Sequence, residues 1–384
     1  MALWFSATAV VPALKAVGAL DDATAGWFTS AVQAGFVAGT LLFALLGIVD
    51  RFDPRWIFLI SAEAAALANL SVLELEPASV VVIGLRFVTG FCMAGIYPIA
   101  LKLAAGWASG NVGFLVGVVV GALTLGSATP HLFMFVGGGV DWQATLIATS
   151  ASAALAGLII LAVSEGPAAK RSTRFKVSDV AVLWTNKGTR YANFGYLGHM
   201  WELYAMWAWI GVYISLEVSG YGFGADAGRI SALATFLVVG SGGLGSLMAG
   251  WAADRVGRTT VTSVCMVASG SCAITIGFAA GLGPWCLGVV AVVWGVTIIS
   301  DSAQFSASVM ELSEPERVGT MLTLQTCIGF LLTLVTIQAV PWFAEHLGWR
   351  HAFIPLAIGP FLGVLAMLRL RVLPDSSKLA GGRG

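Results

Sequence analysis

Charge is what this chain has least of. Only 10% of its 384 residues are Asp, Glu, Lys or Arg, against about 25% in a typical soluble domain. Length alone suggests two or three soluble domains, but 20 basic and 20 acidic residues cannot solvate a globular surface of that size. Hydrophobic residues make up 58%, and the mean hydropathy is +0.88. These figures exclude a soluble enzyme and a disordered chain. The zero net charge removes any global attraction to polyanions, so nucleic acid is not an expected partner. What remains is a polytopic membrane protein with the lipid bilayer as its surroundings.

Other absences narrow the class. The five cysteines, Cys92, Cys265, Cys272, Cys286 and Cys327, are odd in number and lie in apolar stretches. They show neither metal spacing nor a disulfide framework, and read as small buried hydrophobes. No G-x-x-x-x-G-K-S/T loop is present, so ATP-driven transport by this chain has no support. H-E-x-x-H, Ser–His and paired-Asp constellations are also missing. The expectation is therefore no enzyme, no metal and no cofactor. Met1 to Leu14 is apolar without a preceding basic region or an A-x-A-like site, which argues against a cleaved signal peptide. Either the first helix runs past Lys15 towards Leu20, or the natural start lies upstream.

Long stretches without Asp, Glu, Lys or Arg locate the spans. Residues 259–300 hold two, split at Gly281-Leu282-Gly283-Pro284, where Gly and Pro interrupt the chain. The full reading is twelve helices, at 1–20, 27–49, 56–74, 78–101, 112–136, 143–164, 191–216, 229–252, 259–280, 285–307, 319–341 and 350–370. Helices are the natural solution in lipid, which offers no partner to unsatisfied backbone. The alternating strands of a membrane barrel are not seen.

The only long polar segment, Glu165 to Arg190, divides the chain in half. The expected organisation is a six-helix bundle over 1–164, a basic linker over 165–190, a second bundle over 191–370 and a tail over 371–384. With the N-terminus cytoplasmic, sixteen Lys and Arg residues fall on the inner side and three (Lys15, Arg229, Arg350) on the outer. The positive-inside rule then places both termini in the cytoplasm. Compactness suggests a prokaryotic inner membrane.

A repeat ties the halves together. The loop after the eighth helix reads Gly250-Trp251-Ala252-Ala253-Asp254-Arg255-Val256-Gly257-Arg258, and the loop after the second reads Gly47-Ile48-Val49-Asp50-Arg51-Phe52-Asp53-Pro54-Arg55. Asp50 and Asp254 are 204 positions apart, the spacing of a six-helix internal repeat. The sequence here resembles the major facilitator superfamily, whose pattern at this loop is G-x-x-x-D-R/K-x-G-R/K. The second copy matches in full. The first keeps Asp50-Arg51 but has Leu46 at the Gly position and Asp53-Pro54 for the Gly-Arg pair. Arg86-Phe87-Val88-Thr89-Gly90 matches a second family pattern, R-x-x-x-G in helix four. The resemblance covers essentially the whole chain. It implies an all-α membrane fold of two pseudo-symmetric six-helix bundles and a secondary transporter working by alternating access. Asp50, Arg51, Gly250, Asp254, Arg255, Gly257 and Arg258 are then gating residues, since an acid at a helix end can pair with Arg in one conformation and release it in the other.

Ionisable residues within hydrocarbon cost several kcal/mol, roughly 2.5–3.5 on insertion scales. Helical spacing puts Arg86, Gly90, Met93 and Tyr97 on one face, and His199, Glu202, Met206, Trp209 and Tyr213 on another. Trp294, Ile298, Asp301 and Phe305 form a third, and helix one offers Trp4 and Thr8. Pro98 is placed to kink helix four. The resemblance implies that helices one, four, seven and ten line a central cavity. Arg86, Tyr97, His199 and Trp209 are thus candidates for binding a small-molecule solute, with Glu202 and Asp301 as proton-coupling residues. Arg86 stands open between holding an anion and a family role in coupling or packing. His199 is placed to share a proton with Glu202, the bland reading being a His–Glu pair. Glu63 is read as a structural partner of Arg55. His131 is open between pore and packing. Gly117-x-x-x-Gly121 and the Gly240–Gly245 run read as close helix contacts.

The resulting expectation is a transporter of a small polar or anionic solute, coupled to protons. Within the superfamily it is most similar to cyanate or nitrate–nitrite permeases. A proton-driven drug or metabolite exporter, and a non-transporting sensor, are the alternatives.

Overall fold

The computed structural model describes residues 1–107, 112–167, 182–314 and 317–384. Among them twelve main helices follow one another. They are α1 (Ala2–Ala16), α2 (Asp22–Leu46), α3 (Pro54–Leu70), α4 (Val80–Met93, resuming as Tyr97–Gly106), α5 (Val112–Val136) and α6 (Trp142–Ile159), then α7 (Lys187–Gly220), α8 (Ala227–Val256), α9 (Arg258–Ala280), α10 (Pro284–Ser300, resuming as Ser302–Leu312), α11 (Val318–Leu347) and α12 (Ile358–Arg371). Ten are long and apolar enough to cross a membrane by length and composition. The other two are the 15-residue α1 and the more polar, 34-residue α7.

Local chemistry sets the helix ends. Asp21, Asp53, Asp141 and Asn186 cap α2, α3, α6 and α7 by accepting from Thr24, Arg55, Ala144 and Thr189 amides at 2.7–3.0 Å, satisfying donors that a helix start leaves free. Arg55 also bonds the Asp53 carboxylate at 2.7 Å and holds that carboxyl below its ordinary range. Gly47 ends α2 at φ +60°, a left-handed stop that suits Gly. Pro284 opens α10, where its missing N–H costs nothing.

Several details differ from the sequence reading. The first helix ends at Ala16 rather than near Leu20. Its C-cap Val17 and Gly18, at φ +73°, close it with bonds to Ala13 and Lys15 carbonyls. Helix seven begins at Lys187, inside the expected linker, because Asn186 caps it there. Helix four breaks at residues 94–96, one turn before Pro98. Proline supplies no amide to the carbonyl four residues earlier, so the break falls at Ala94. Helix ten is interrupted at Asp301. Glu63 does not partner Arg55, which is taken by Asp53. Its carboxylate lies beside Gly157 of α6.

The six-helix repeat reappears in the packing. In the first half α2 packs on α4, α3 on α6, and α1 on α5 and α6; in the second α8 packs on α10, α9 on α12, and α7 on α11 and α12. Corresponding glycines make this possible. A Cβ on Gly90 would meet the Val32 carbonyl, and one on Gly295 the Val238 carbonyl. The halves meet along α5–α8 and α2–α11, with α1 touching α7. Gly121 and Gly243 face each other across α5–α8, as the glycine spacing suggested.

Candidate functional site at the meeting of the two halves

Each half contains a buried polar hub. In the first, Arg86 of α4 donates from Nη1 to Asn69 Oδ1 (2.6 Å) and Ser6 Oγ (3.1 Å), and from Nη2 to the Leu3 and Trp4 carbonyls (3.1 and 3.0 Å). Asn69 of α3 donates onward to the Leu146 carbonyl and Ser150 Oγ of α6. The guanidinium also lies 5.4 Å from the Phe28 ring centre. Arg86 thus joins α1, α3 and α4 and is fully buried. Its Nε alone has no partner among the described residues.

In the second half, Glu202 of α7 accepts from Ser269 Oγ of α9 and from Trp294 Nε1 of α10, both at 2.8 Å. It is 1% exposed. The helices it joins, α7, α9 and α10, correspond in the repeat to α1, α3 and α4. One hub is therefore basic and the other acidic, on equivalent helices. His199 does not pair with Glu202. Residues three apart on a helix share a face without touching unless their side chains converge. The His199 Nδ1 instead lies 2.8 Å from Asp301 Oδ1, both buried, at the interruption in α10.

The remaining sequence candidates scatter. Tyr97 is half-buried at the start of the second piece of α4. Trp209 is buried, and its Nε1 donates to the Ile337 carbonyl at 2.8 Å, bracing α7 on α11. His131 of α5 lies close to Gly211 of α7, across the halves.

The repeated loops mark one end of the bundle, the motif face. There Arg258 forms a bidentate pair with Glu311 (2.8 and 2.6 Å) and bonds Gln304 at 2.7 Å. Asp254 is 3.7 Å from Arg258. Arg255 lies 3.9 Å over the Trp251 ring. Gly257, at φ +98°, lets the chain turn into α9 against the backbone of Arg383 and Gly384. Gly250 has open space around it. Arg51 ends the short turn Ile48–Arg51. The side chain of Asp50 lies outside the described residues, as do Lys170, Arg171, Arg174 and Lys176 of the linker.

The opposite, far face is where the halves are tied by polar and backbone contacts. Gln338 of α11 donates to Ser30 of α2 at 2.9 Å. A Cβ on Gly139 would overlap the Gly228–Arg229 peptide. Arg229 lies 4.8 Å over the Phe135 ring. Between the two faces the halves meet in an aromatic layer of which sequence reasoning offered only Trp4. Trp4 and Phe36 of the first half contact Phe330 at 5.2 and 4.8 Å between ring centres, and Trp4 and Phe5 contact Tyr204 and Trp207 at 5.1–6.1 Å. Apolar residues on helices two and eleven carry no signal of their own in one sequence. A groove of about 700 Å³ on the outer flank of the second half, lined by Phe194, Trp201, Leu332, Leu362 and Leu365, is apolar and away from this layer.

No curated protein matches the chain. Among solved structures, a single-residue mutant of the nucleoside transporter NupG aligns over 96% of both chains at 16% identity, with a TM-score of 0.73. A D-xylose–proton symporter aligns over 98% of this chain and 96% of its own at 15% identity, TM-score 0.70. The inward-open xylose transporter XylE from E. coli aligns over 97% and 94% at 13% identity, TM-score 0.72. At such identities the likeness is one of fold. Residues 1–300 match the Major Facilitator Superfamily itself. With twelve helices in two repeated sets of six, this chain belongs to the Major Facilitator Superfamily and is an integral membrane transporter rather than an enzyme.

Proposed function

We propose that the chain is a proton-coupled secondary carrier of a small polar solute. The observation that carries this reading is Glu202. It is a buried carboxyl between α7, α9 and α10 whose hydrogen-bond partners, Ser269 and Trp294, are both neutral donors. A carboxyl so placed has a protonated and a charged state, and passing between them moves one proton. Such a change biases a rocking cycle only if the two conformations differ in their preference for the proton. Asp301, at the interruption of α10 and beside His199, is the second candidate on the proton path. A proton symporter among the structural neighbours supports coupling.

In this reading the halves are 1–164 and 191–370, joined by the linker 165–190 and followed by the tail 371–384. Both termini face the cytoplasm of a prokaryotic cell. Asp50, Arg51, Gly250, Asp254, Arg255, Gly257 and Arg258 form the inner gate. Arg86, Tyr97, His199 and Trp209 border the solute path. Four of the donor bonds of Arg86 end on protein acceptors, which favours a polar over an anionic cargo.

The test uses purified protein in proteoliposomes containing a pH-sensitive dye. A solute found to acidify the lumen with the native chain should fail to do so with Glu202→Gln, while still exchanging across the membrane. Unchanged acidification in that variant overturns the role of Glu202.

A further inference from the structure

Gln33 is a group that the proton-coupling reading does not use. It lies on α2, is fully buried, and both its amide oxygen and its amide nitrogen lack a hydrogen-bond partner among the described residues. Buried side-chain amides are nearly always bonded, because leaving one unmade is costly. Helical spacing fixes where it points. Gly26 and Ser30 on the same face both touch Gln338 of α11, so Gln33 looks across the meeting of the halves, one turn deeper. Phe36, three residues on, contacts both Trp4 and Phe330. Two further buried donors of this layer, Trp4 Nε1 and Trp207 Nε1, are also without partners among the described residues.

We propose that Gln33, Trp4 and Phe36, faced by Phe330 and Tyr204 of the other half, bind a neutral planar solute whose edge carries a hydrogen-bond donor beside an acceptor. This rests on the reading of the chain as a solute carrier and names the class of its cargo. A Gln amide offers one acceptor and two donors in a plane, so it reads an adjacent donor–acceptor pair bidentately, as in a cyclic amide or a nucleobase edge. The indole N–H groups donate only, and suit further carbonyls on the same ring. The aromatic groups supply flat faces, and rings stack on heterocycles favourably. In the present arrangement Trp4, Phe36, Tyr204 and Phe330 lie against one another at 4.7–6.0 Å. Parting α1 and α2 from α7 and α11 opens a slot between them. The Arg86 guanidinium is engaged by Ser6, Asn69 and the Leu3 and Trp4 carbonyls of its own half, so the groups left without partners in the layer are neutral.

The experiment is equilibrium binding to the detergent-purified full chain at one fixed pH, where no gradient exists and no proton transport is required. The probes are uracil, adenine and nicotinamide, with D-xylose as a non-planar and benzoate as an anionic contrast. At least one planar amide-edged probe should bind. Gln33→Leu should weaken it by about tenfold or more, and Trp4→Phe by several-fold, with D-xylose and benzoate binding more weakly to the native chain. The proposal is overturned if none of the three planar probes binds, if benzoate or D-xylose binds more tightly than all of them, or if Gln33→Leu retains native affinity. Should the Leu variant fail to fold, Trp4→Phe decides, and unchanged affinity there overturns it. A failed probe panel alongside Glu202-dependent proton uptake with another solute would sink the cargo assignment and leave the carrier intact.

Discussion

Arg86 shows why a charged residue in a span cannot be given its job from sequence alone. Its position was legible, since a lone Arg in an apolar run needs an explanation. Its partners were not, because the Leu3 and Trp4 carbonyls and Asn69 lie on other helices and carbonyls have no sequence signature. The bonds it makes are charge-assisted, and such bonds contribute about 1.5–3 kcal/mol each when lost from a buried site. Lysine has three donors on a single point rather than a planar fork. Arg86→Lys should therefore destabilise the purified protein by at least about 1.5 kcal/mol, read as a fall in melting temperature with native helix content. A melting temperature equal to native would show that the hub does not brace α1. Glu202 and His199 teach a related lesson. Their three-residue spacing suggested one shared proton, whereas α9 and α10 present separate partners to each.

At the scale of the helix, glycine divides into positions that matter and positions that do not. Gly90 and Gly295 bring α4 against α2 and α10 against α8, and each would drive a methyl group into a backbone carbonyl. Gly84 and Gly288, on the same two helices, have nothing within 4 Å of a Cβ. Gly90→Ala and Gly295→Ala should each cost about 1–3 kcal/mol by overpacking. Gly84→Ala and Gly288→Ala should be neutral or slightly stabilising, as expected where only helix propensity changes. Melting curves of the four variants check this directly, and equal behaviour within either pair of neighbours would refute the packing account. Span count and helix order could be read from charge-free stretches because hydrocarbon excludes charge for about twenty residues at a time. The interruptions at 94–96 and at Asp301 could not, since a break inside the membrane depends on what the neighbouring helices offer the freed backbone.

For the whole molecule, the far face is closed by contacts of one kind and the motif face is organised by another. Ser30 and Gln338 tie α2 to α11 across the halves, while Arg258 and Glu311 tie α9 to α10 within the second half. A rocking cycle of the proposed kind would have to break the first and could keep the second. A chain carrying Ser30→Cys and Gln338→Cys, bridged by a short thiol-reactive linker, should lose transport and regain it when the bridge is cleaved. Full transport in the bridged state would mean that this contact persists through the cycle. The motif that reveals the family in sequence thus lies away from the aromatic layer where the halves meet.

Ten of the fourteen tryptophans of this chain fall at one of two extremes of exposure. Trp4, Trp207, Trp209 and Trp294 are at most 2% exposed, whereas Trp27, Trp56, Trp107, Trp251, Trp285 and Trp342 are more than half exposed. A quencher confined to lipid, such as a brominated acyl chain, reaches those of the second set that face the bilayer and leaves the first bright. Trp107→Phe and Trp251→Phe remove two exposed tryptophans at helix ends, and the emission that survives in such bilayers then comes mainly from the interior. It includes Trp4 and Trp207 of the aromatic layer, so the protein carries its own optical reporter of what enters between its halves.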